Sequence, residues 1–277
     1  MLNTKQIILI AGVIVLMIIL YLQPLKSLVK EEDAAAGVET SAPSNDFTLE
    51  NVSEIAKQGL NTNLQKDITD LEASLKEASE DEKLPLLKQL AQKWDDVNKL
   101  SPHAYALEEI AKREPTFENW LKTGDVFSEA FSNLQDTVMV PVLTQHAIKA
   151  YETALELDGT SLDAKTGLGS AYVNGPNPMQ GITLLLEVVE EDPNNVKANF
   201  NLGLFSMQSR QFDKAVDRFK TVVDKDPSAE AWFYLATSYE NIGLKNEAID
   251  AFQKSKQLAA DPSLSQFIDR KVEELSK

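Results

Sequence analysis

The sequence predicts an all-α solenoid of about five stacked helix–turn–helix repeats. The main observation is a period of 34 residues, which separates Gly169 from Gly203 and Pro193 from Pro227. A period of this length is typical of helix pairs that cannot bury their own apolar faces and therefore stack on their neighbours. Hydrophobic residues make up 43% of the 277 residues, enough for a core along most of the chain.

Composition excludes several classes of function. The chain has no cysteine, which rules out disulfides, thiolate metal sites and a cysteine nucleophile. Its formal net charge is −16, and no run of basic residues interrupts the acidic excess. An acidic surface repels phosphate backbones, so we expect no nucleic-acid partner.

The N-terminal region, residues 1–30, is predicted to be a membrane anchor. Ile7–Leu22 carries no charge, and as a helix it would span about 24 Å, slightly less than a ~30 Å hydrocarbon core. A cleaved signal peptide is the alternative, but the charged residues Lys30, Glu31, Glu32 and Asp33 lie between the apolar run and Ala34. A short tail before a single anchor favours the bacterial inner membrane, with the following domain in the periplasm.

Two further segments are predicted before the repeats. Residues 31–46 are small, acidic and interrupted by Gly37 and Pro43, which indicates a flexible linker. Residues 47–83 are predicted to form a helical hairpin that covers the end of the solenoid. The apolar stripe that indicates its second helix has helical spacing and consists of Leu64, Ile68, Leu71, Leu75 and Ala78. A coiled-coil dimer is the alternative for this segment.

Residues 84–262 divide into five units, 84–116, 117–161, 162–195, 196–228 and 229–262, followed by a capping helix at 263–277. The clearest unit has Leu202-Gly203, then Ala215, Phe219 and Pro227, in the order and spacing of the tetratricopeptide repeat, which these units resemble. The resemblance implies a right-handed solenoid. The unit 117–161 departs from the pattern by an insertion of about eleven residues between its helices.

Small residues recur at the two positions where paired helices approach most closely. In the family these are positions 8 and 20 of each repeat, and a small side chain there lets the helix axes come together. At position 20 of the unit 162–195 glycine replaces the usual alanine. The predicted packing residues are Gly124, Gly169, Gly203 and Ala236 at position 8, and Ala147, Gly181, Ala215 and Ala248 at position 20.

The resemblance also implies a concave groove, lined by the first helices, that binds a protein or peptide. An apolar strip of four groove residues, Phe200, Leu204, Met207 and Phe233, would contact the ligand. Ordinary packing between neighbouring first helices is the alternative. Asp163, Glu230 and Glu240 would flank this strip, and their negative charges favour a ligand with basic and apolar residues. The predicted groove residues are Lys197, Phe200, Leu204, Met207, Phe233, Thr237, Glu240 and Asn241, preceded by Asp163, Thr166, Ser170, Val173 and Asn174.

No catalytic constellation is visible in the sequence. The two histidines, His103 and His146, lie on different units, and the chain has no phosphate-binding loop, zinc motif or nucleophile elbow. We therefore expect no enzyme activity, no cofactor and no metal. The predicted function is a membrane-tethered adaptor for a protein segment, in secretion or envelope assembly. The alternative is an assembly subunit that docks through the N-terminal hairpin or the convex face; partner and oligomeric state stay open.

Overall fold

A computed structural model describes residues 47–134, 138–175 and 177–277, and within them the chain forms thirteen helices and no strand. The first six helices are α1 (Leu49–Lys57), α2 (Thr62–Glu77), α3 (Glu80–Asp96), α4 (Leu100–Arg113), α5 (Phe117–Ser132) and α6 (Met139–Leu157). The other seven are α7 (Leu162–Val173), α8 (Pro178–Glu191), α9 (Val196–Gln208), α10 (Phe212–Lys225), α11 (Ala229–Asn241), α12 (Lys245–Leu258) and α13 (Pro262–Leu275).

The start of each first helix is fixed by a polar capping side chain. Thr116, Ser161, Asn195 and Ser228 precede α5, α7, α9 and α11, and each accepts a hydrogen bond from the backbone N–H three residues later, at 2.9 to 3.2 Å. Such a bond satisfies one of the backbone donors that a helix leaves free at its N-terminus. The repeat in the sequence is therefore also a repeat of helix start signals.

The helices stack as a tetratricopeptide-like solenoid. The pairs α3–α4, α5–α6, α7–α8, α9–α10 and α11–α12 pack within each unit, and each second helix also packs on the next first helix. Successive first helices α5, α7, α9 and α11 touch one another as well. They consequently form one continuous face of the solenoid, and the predicted all-α repeat architecture is confirmed.

The core runs along the stack and contains large aromatic side chains from both first and second helices. Trp94, Phe127, Tyr151, Phe219 and Phe252 are all fully buried. A solenoid has no single central core, so each unit relies on the apolar surface of its neighbours. These aromatic residues fill the space between the two helices of a unit and the helix that follows.

All eight predicted packing residues are buried, and the glycines among them lie where a side chain would collide. A Cβ on Gly203 would lie 2.7 Å from the ring of Phe219, and a Cβ on Gly169 would lie 2.9 Å from Cγ of Leu185. A Cβ on Gly181 would lie 2.7 Å from the backbone nitrogen of Val173. Because α7 and α8 cross this closely, glycine rather than alanine occupies position 20 there.

The extra residues of the unit 117–161 lengthen its helices. Helix α6 has 19 residues, whereas α8, α10 and α12 have 14 each. Within α6, His146 packs against Tyr105 and Phe127, with ring centroids 4.9 and 5.0 Å apart. His146 Nδ1 also lies 2.8 Å from Oε1 of the buried Glu108. These contacts join α6 to α4 and α5.

The N-terminal helices α1 and α2 attach to the first repeat. Helix α1 packs on α4, and α2 packs on α3. Between them Lys57 is buried and forms ion pairs with Glu72 at 2.7 Å and Glu54 at 2.6 Å, while Ser53 also donates a hydrogen bond to Glu72. Burial of an ammonium group is tolerated because both carboxylates and the packed helices around it compensate its desolvation.

The structure corrects the predicted localisation. In the part of the chain that the structure describes, no helix is both long enough and apolar enough to cross a membrane. The longest, α6, carries Lys149, Glu152 and Glu156, because its outer side is polar. The segment Ile7–Leu22, on which the prediction of an inner-membrane anchor depended, lies outside the described residues. The prediction of a single-pass inner-membrane protein with a periplasmic domain is withdrawn.

Candidate protein-binding groove

A cavity of about 530 Å³ lies on the face formed by the first helices. Residues from four successive first helices line it, and its open side faces the solvent. Its lining includes Asp125 and Ser128 of α5, Asp163, Thr166, Gly167 and Ser170 of α7, Lys197, Phe200 and Asn201 of α9, and Glu230 of α11. A feature that crosses four repeats can bind a ligand that runs along the solenoid.

The floor of this cavity is the side chain of Tyr151, which reaches it from the second helix α6. A Cβ on Gly124 would lie 2.7 Å from the Tyr151 ring, and a Cβ on Gly167 would overlap the same ring. The two glycines belong to α5 and α7, so their bare backbones form a slot for the ring between these helices. Only residues without a side chain at both positions leave room for Tyr151.

The hydroxyl of Tyr151 is fixed at the cavity by two oxygen atoms. It donates a hydrogen bond to Oδ1 of Asp125 at 2.9 Å and lies 3.2 Å from Oγ of Ser128. Partial burial raises the pKa of Asp125, an effect that the Tyr151 bond and the charge of Lys197 oppose and that the charge of Asp163 reinforces. Burial, together with the charge of Asp125, also raises the pKa of Tyr151. The phenol is therefore a neutral donor at physiological pH.

The cavity is strongly acidic. Four carboxylates line it, from Asp125, Asp163, Asp226 and Glu230, and Lys197 is the cation that lines it with them. Among the residues that the structure describes, none of these five side chains takes part in an ion pair. Carboxylates that are not neutralised within the protein can attract a cationic group of a ligand.

The predicted groove residues divide between two places. Lys197 and Phe200 line the acidic cavity together with Asp163, Thr166 and Ser170. Leu204 and Met207 line neither this cavity nor the next one described; they are half-buried and pack against the apolar cluster around Phe219 and Phe252. The apolar strip is therefore largely engaged in contacts within the protein.

Val173 packs against the apolar cluster around Leu185 and Leu202, and Asn174 caps the end of α7. The four predicted residues of the last repeat lie beside the C-terminal helix. Phe233, Thr237, Glu240 and Asn241 line a second cavity of about 550 Å³ together with residues of α13. Lys271 of α13 donates a hydrogen bond to Glu240 at 2.9 Å, and the rings of Phe267 and Phe233 are 5.8 Å apart. Helix α13 thus covers the groove positions of the last repeat.

The predicted groove residues do not include Asp125, Ser128, Gly167 and Asp226, all of which line the acidic cavity. Asp125 and Ser128 occupy positions 9 and 12 of the unit 117–161, so applying the groove positions one repeat earlier would have found them. Gly167 occupies position 6 of its unit, which has no special role in the repeat pattern, and the sequence offers no signal for it. Tyr151 belongs to a second helix, which the groove positions do not include, yet its hydroxyl reaches the cavity.

The described residues contain no group of three or more His, Asp and Glu side chains placed to hold a metal ion. His103 is buried in α4, and His146 contacts Glu108 rather than the cavity. The acidic cavity is lined by carboxylates, hydroxyls, the Asn201 amide and the Lys197 ammonium group, together with apolar side chains such as Phe200.

Comparisons with known proteins identify the repeat. A family model described as tetratricopeptide repeat matches residues 206–264. Anaphase-promoting complex subunit 3 of Dictyostelium discoideum is 28% identical over 126 residues, which are 44% of this chain. The match spans 13% of that relative, so most of the relative has no counterpart here.

The chain also has similarity to solved structures. MamA matches with a TM-score of 0.47 and 22% identity, over 63% of this chain and 90% of MamA. YrrB, a tetratricopeptide protein with an unusual peptide-binding site, matches with a TM-score of 0.45 and 19% identity, over 71% of this chain and 98% of YrrB. At these scores and identities the likeness does not extend to function.

None of these matches supports the predicted bacterial origin or the membrane anchor. The family match supports the repeat itself, since it covers α10 to α12, where the capping residues and small packing residues follow the pattern closely. The sequence match and the helical architecture together support the assignment of tetratricopeptide repeats to this chain.

Proposed function

We propose that this protein is an interaction scaffold that binds a segment of another protein, through basic side chains of that segment, along its first helices. The observation that carries the proposal is the acidic cavity across α5, α7, α9 and α11. Its size suits one or two side chains of a ligand, and its open side would let the ligand backbone continue along the solenoid.

The chemistry of the cavity favours a lysine or arginine of the ligand. A guanidinium or ammonium group can donate hydrogen bonds to Asp125, Asp163 and Glu230, and hydrogen bonds between charged partners are about twice as strong as neutral ones. An acidic segment would instead be repelled, because its carboxylates would come close to the four carboxylates of the cavity. The proposal assigns no catalytic step to any of these residues.

Helix α13 provides an intramolecular example of the same recognition. It places a cation, Lys271, against Glu240 and an aromatic ring, Phe267, against Phe233. Both Glu240 and Phe233 lie at predicted groove positions of the last repeat. A ligand segment that carries basic and apolar residues would use equivalent contacts in the repeats that α13 leaves open.

The test is site-specific photo-crosslinking in cells that express the full chain. A photo-reactive amino acid replaces Lys197, which is exposed at the cavity, and adducts are identified by mass spectrometry. We expect a protein adduct whose crosslinked segment is rich in lysine or arginine. The yield should fall at least fivefold when Asp163→Asn and Glu230→Gln are introduced together.

A matched control removes the same charge elsewhere. Asp213→Asn with Glu247→Gln neutralises two exposed acids, also in the first turns of helices, that lie outside the cavity. This control should leave the adduct unchanged. Equal adduct yields from the cavity variant and the wild type would contradict the proposal. Adducts obtained from a photo-reactive residue at Ile55, but not at Lys197, would favour the alternative of docking through the N-terminal helices.

A further inference from the structure

A third surface cavity, about 560 Å³, lies between the second helices α8 and α10 and has first helix α9 as its floor. It shares no lining residue with the acidic cavity. Its lining combines an apolar wall from α8 with two cations from α10. The proposed groove function does not use this surface.

The wall from α8 exposes aliphatic side chains. Met179 is 69% exposed and Leu186 is 45% exposed, and the half-buried Ile182 lies between them in sequence on the same side of the cavity. Large aliphatic residues exposed together on a soluble surface commonly mark contact sites for other proteins. These side chains are on the outer surface, where another protein can reach them.

The opposite wall presents a guanidinium group held in place by a buried amide. Arg218 of α10 donates a hydrogen bond to Oδ1 of Asn199 at 3.1 Å. Asn199 is itself 1% exposed, and its Nδ2 donates to the backbone oxygens of Pro193 and Asn195 at 3.0 and 2.9 Å. The orientation of the amide is therefore fixed, and it fixes one edge of the guanidinium in turn.

Within the described ranges, no carboxylate forms an ion pair with Arg218 or with its neighbour Lys214, which donates to Gln211 instead. Asp217 also lines the cavity but is not within ion-pair distance of either cation. Arg218 therefore combines a guanidinium held by a hydrogen bond to Asn199 with the absence of a carboxylate partner in the described residues. Arginine in this state has donors left for a planar anion such as a carboxylate.

We propose that this cavity binds a second protein partner, through a segment that places an aspartate or glutamate side chain beside an aliphatic side chain. The carboxylate accepts hydrogen bonds from Arg218, and the aliphatic group packs on Met179 and Leu186. The partner's charge is thus opposite to that of the groove ligand. The scaffold would hold two segments of different chemistry on two faces.

The experiment is a selection from a displayed library of random peptides against the full chain, followed by affinity measurements on single peptides. Counter-selection uses Arg218→Gln, which removes the charge but keeps an N–H that can still bond to Asn199. Lys225→Gln, which removes a cation from the same helix away from the cavity, is the matched control. Circular dichroism checks that each variant keeps its helical content.

We expect the enriched peptides to share an aspartate or glutamate close to an aliphatic residue. They should bind Arg218→Gln and Leu186→Ser at least tenfold more weakly than wild type, and Lys225→Gln equally well. The variant Asp163→Asn with Glu230→Gln should also bind them equally well, which separates this site from the groove. Peptides that lack acidic residues, peptides that bind Arg218→Gln as well as wild type, or a selection that enriches no peptide would each overturn the proposal.

Discussion

Replacing Gly124 by alanine tests the glycine slot directly. The added Cβ would lie 2.7, 2.8 and 2.9 Å from three ring carbons of Tyr151, where ordinary carbon contacts are about 3.5–4.0 Å. The ring has little freedom to move away, because the backbone of Gly167 approaches it from α7 and its hydroxyl is bonded to Asp125. Either the ring or helix α5 must shift.

The expected loss of stability follows from two opposing contributions. Overpacking a well-filled site costs about 1–3 kcal/mol, and simultaneous overlap with three carbons places Gly124→Ala near the upper end. Alanine also favours the helix over glycine by about 1 kcal/mol. The free energy of unfolding should therefore fall by about 1–2 kcal/mol. Without the clash, the substitution would raise stability by the helix-propensity gain.

The assay is urea denaturation followed by circular dichroism, with Gly159→Ala as the control. A Cβ on Gly159 would have Leu155 O as its nearest neighbour at 3.5 Å, so this variant should be as stable as wild type or more stable by about 0.4–1 kcal/mol. In a background with Tyr151→Ala the cost of Gly124→Ala should disappear, since the clashing ring is gone. A Gly124→Ala protein at least as stable as wild type would refute the slot.

Three further predictions concern stability. Gly203→Leu should cost about 3 kcal/mol or more, because its Cβ alone would lie 2.7 Å from the buried Phe219 ring; an unchanged melting temperature would contradict this. Lys57→Met should cost about 1–3 kcal/mol by leaving Glu72 without its cation, and hydrogen exchange should locate the loss in α1 and α2. Because the pKa of Asp125 is raised above 3.8 in the folded protein, its contribution to stability is present at low pH and lost as the pH rises through the folded pKa. Asp125→Asn should therefore gain stability relative to wild type as the pH rises above about 4, as urea denaturation at several pH values would show.

The repeat pattern predicted the architecture because the features that set it are local. A cap such as Ser228 and a small residue such as Gly203 act within a few residues or between adjacent helices. Their spacing in the sequence therefore carries most of the information needed to stack the units. The boundaries of the units and the roles of the groove positions stay predictions.

The groove was predicted less completely than the fold. A repeat position tells which face of the solenoid a residue lies on, but it does not tell which other residues cover that face. Glu240 is a groove residue by position, yet it pairs with Lys271, which lies 31 residues further along the chain. Phe200 lines the acidic cavity but also packs edge-on against Phe219, at 5.7 Å between ring centroids. Contacts of this kind depend on how the helices stack in three dimensions, which a positional pattern does not contain.

The acidic cavity links stability to binding through one residue. The raised pKa of Asp125 means that the hydrogen bond from Tyr151 and the charge of Lys197 do not fully offset the cost of burying its carboxylate in the free protein. A cation from a ligand would supply the missing interaction, and binding would in turn lower this pKa. Proton release and ligand binding are therefore coupled, and a basic segment should bind more weakly as the pH falls toward the raised pKa. The same slot that confines Tyr151 to the cavity floor also holds its hydroxyl against this carboxylate, and that hydrogen bond opposes part of the rise in pKa that burial causes.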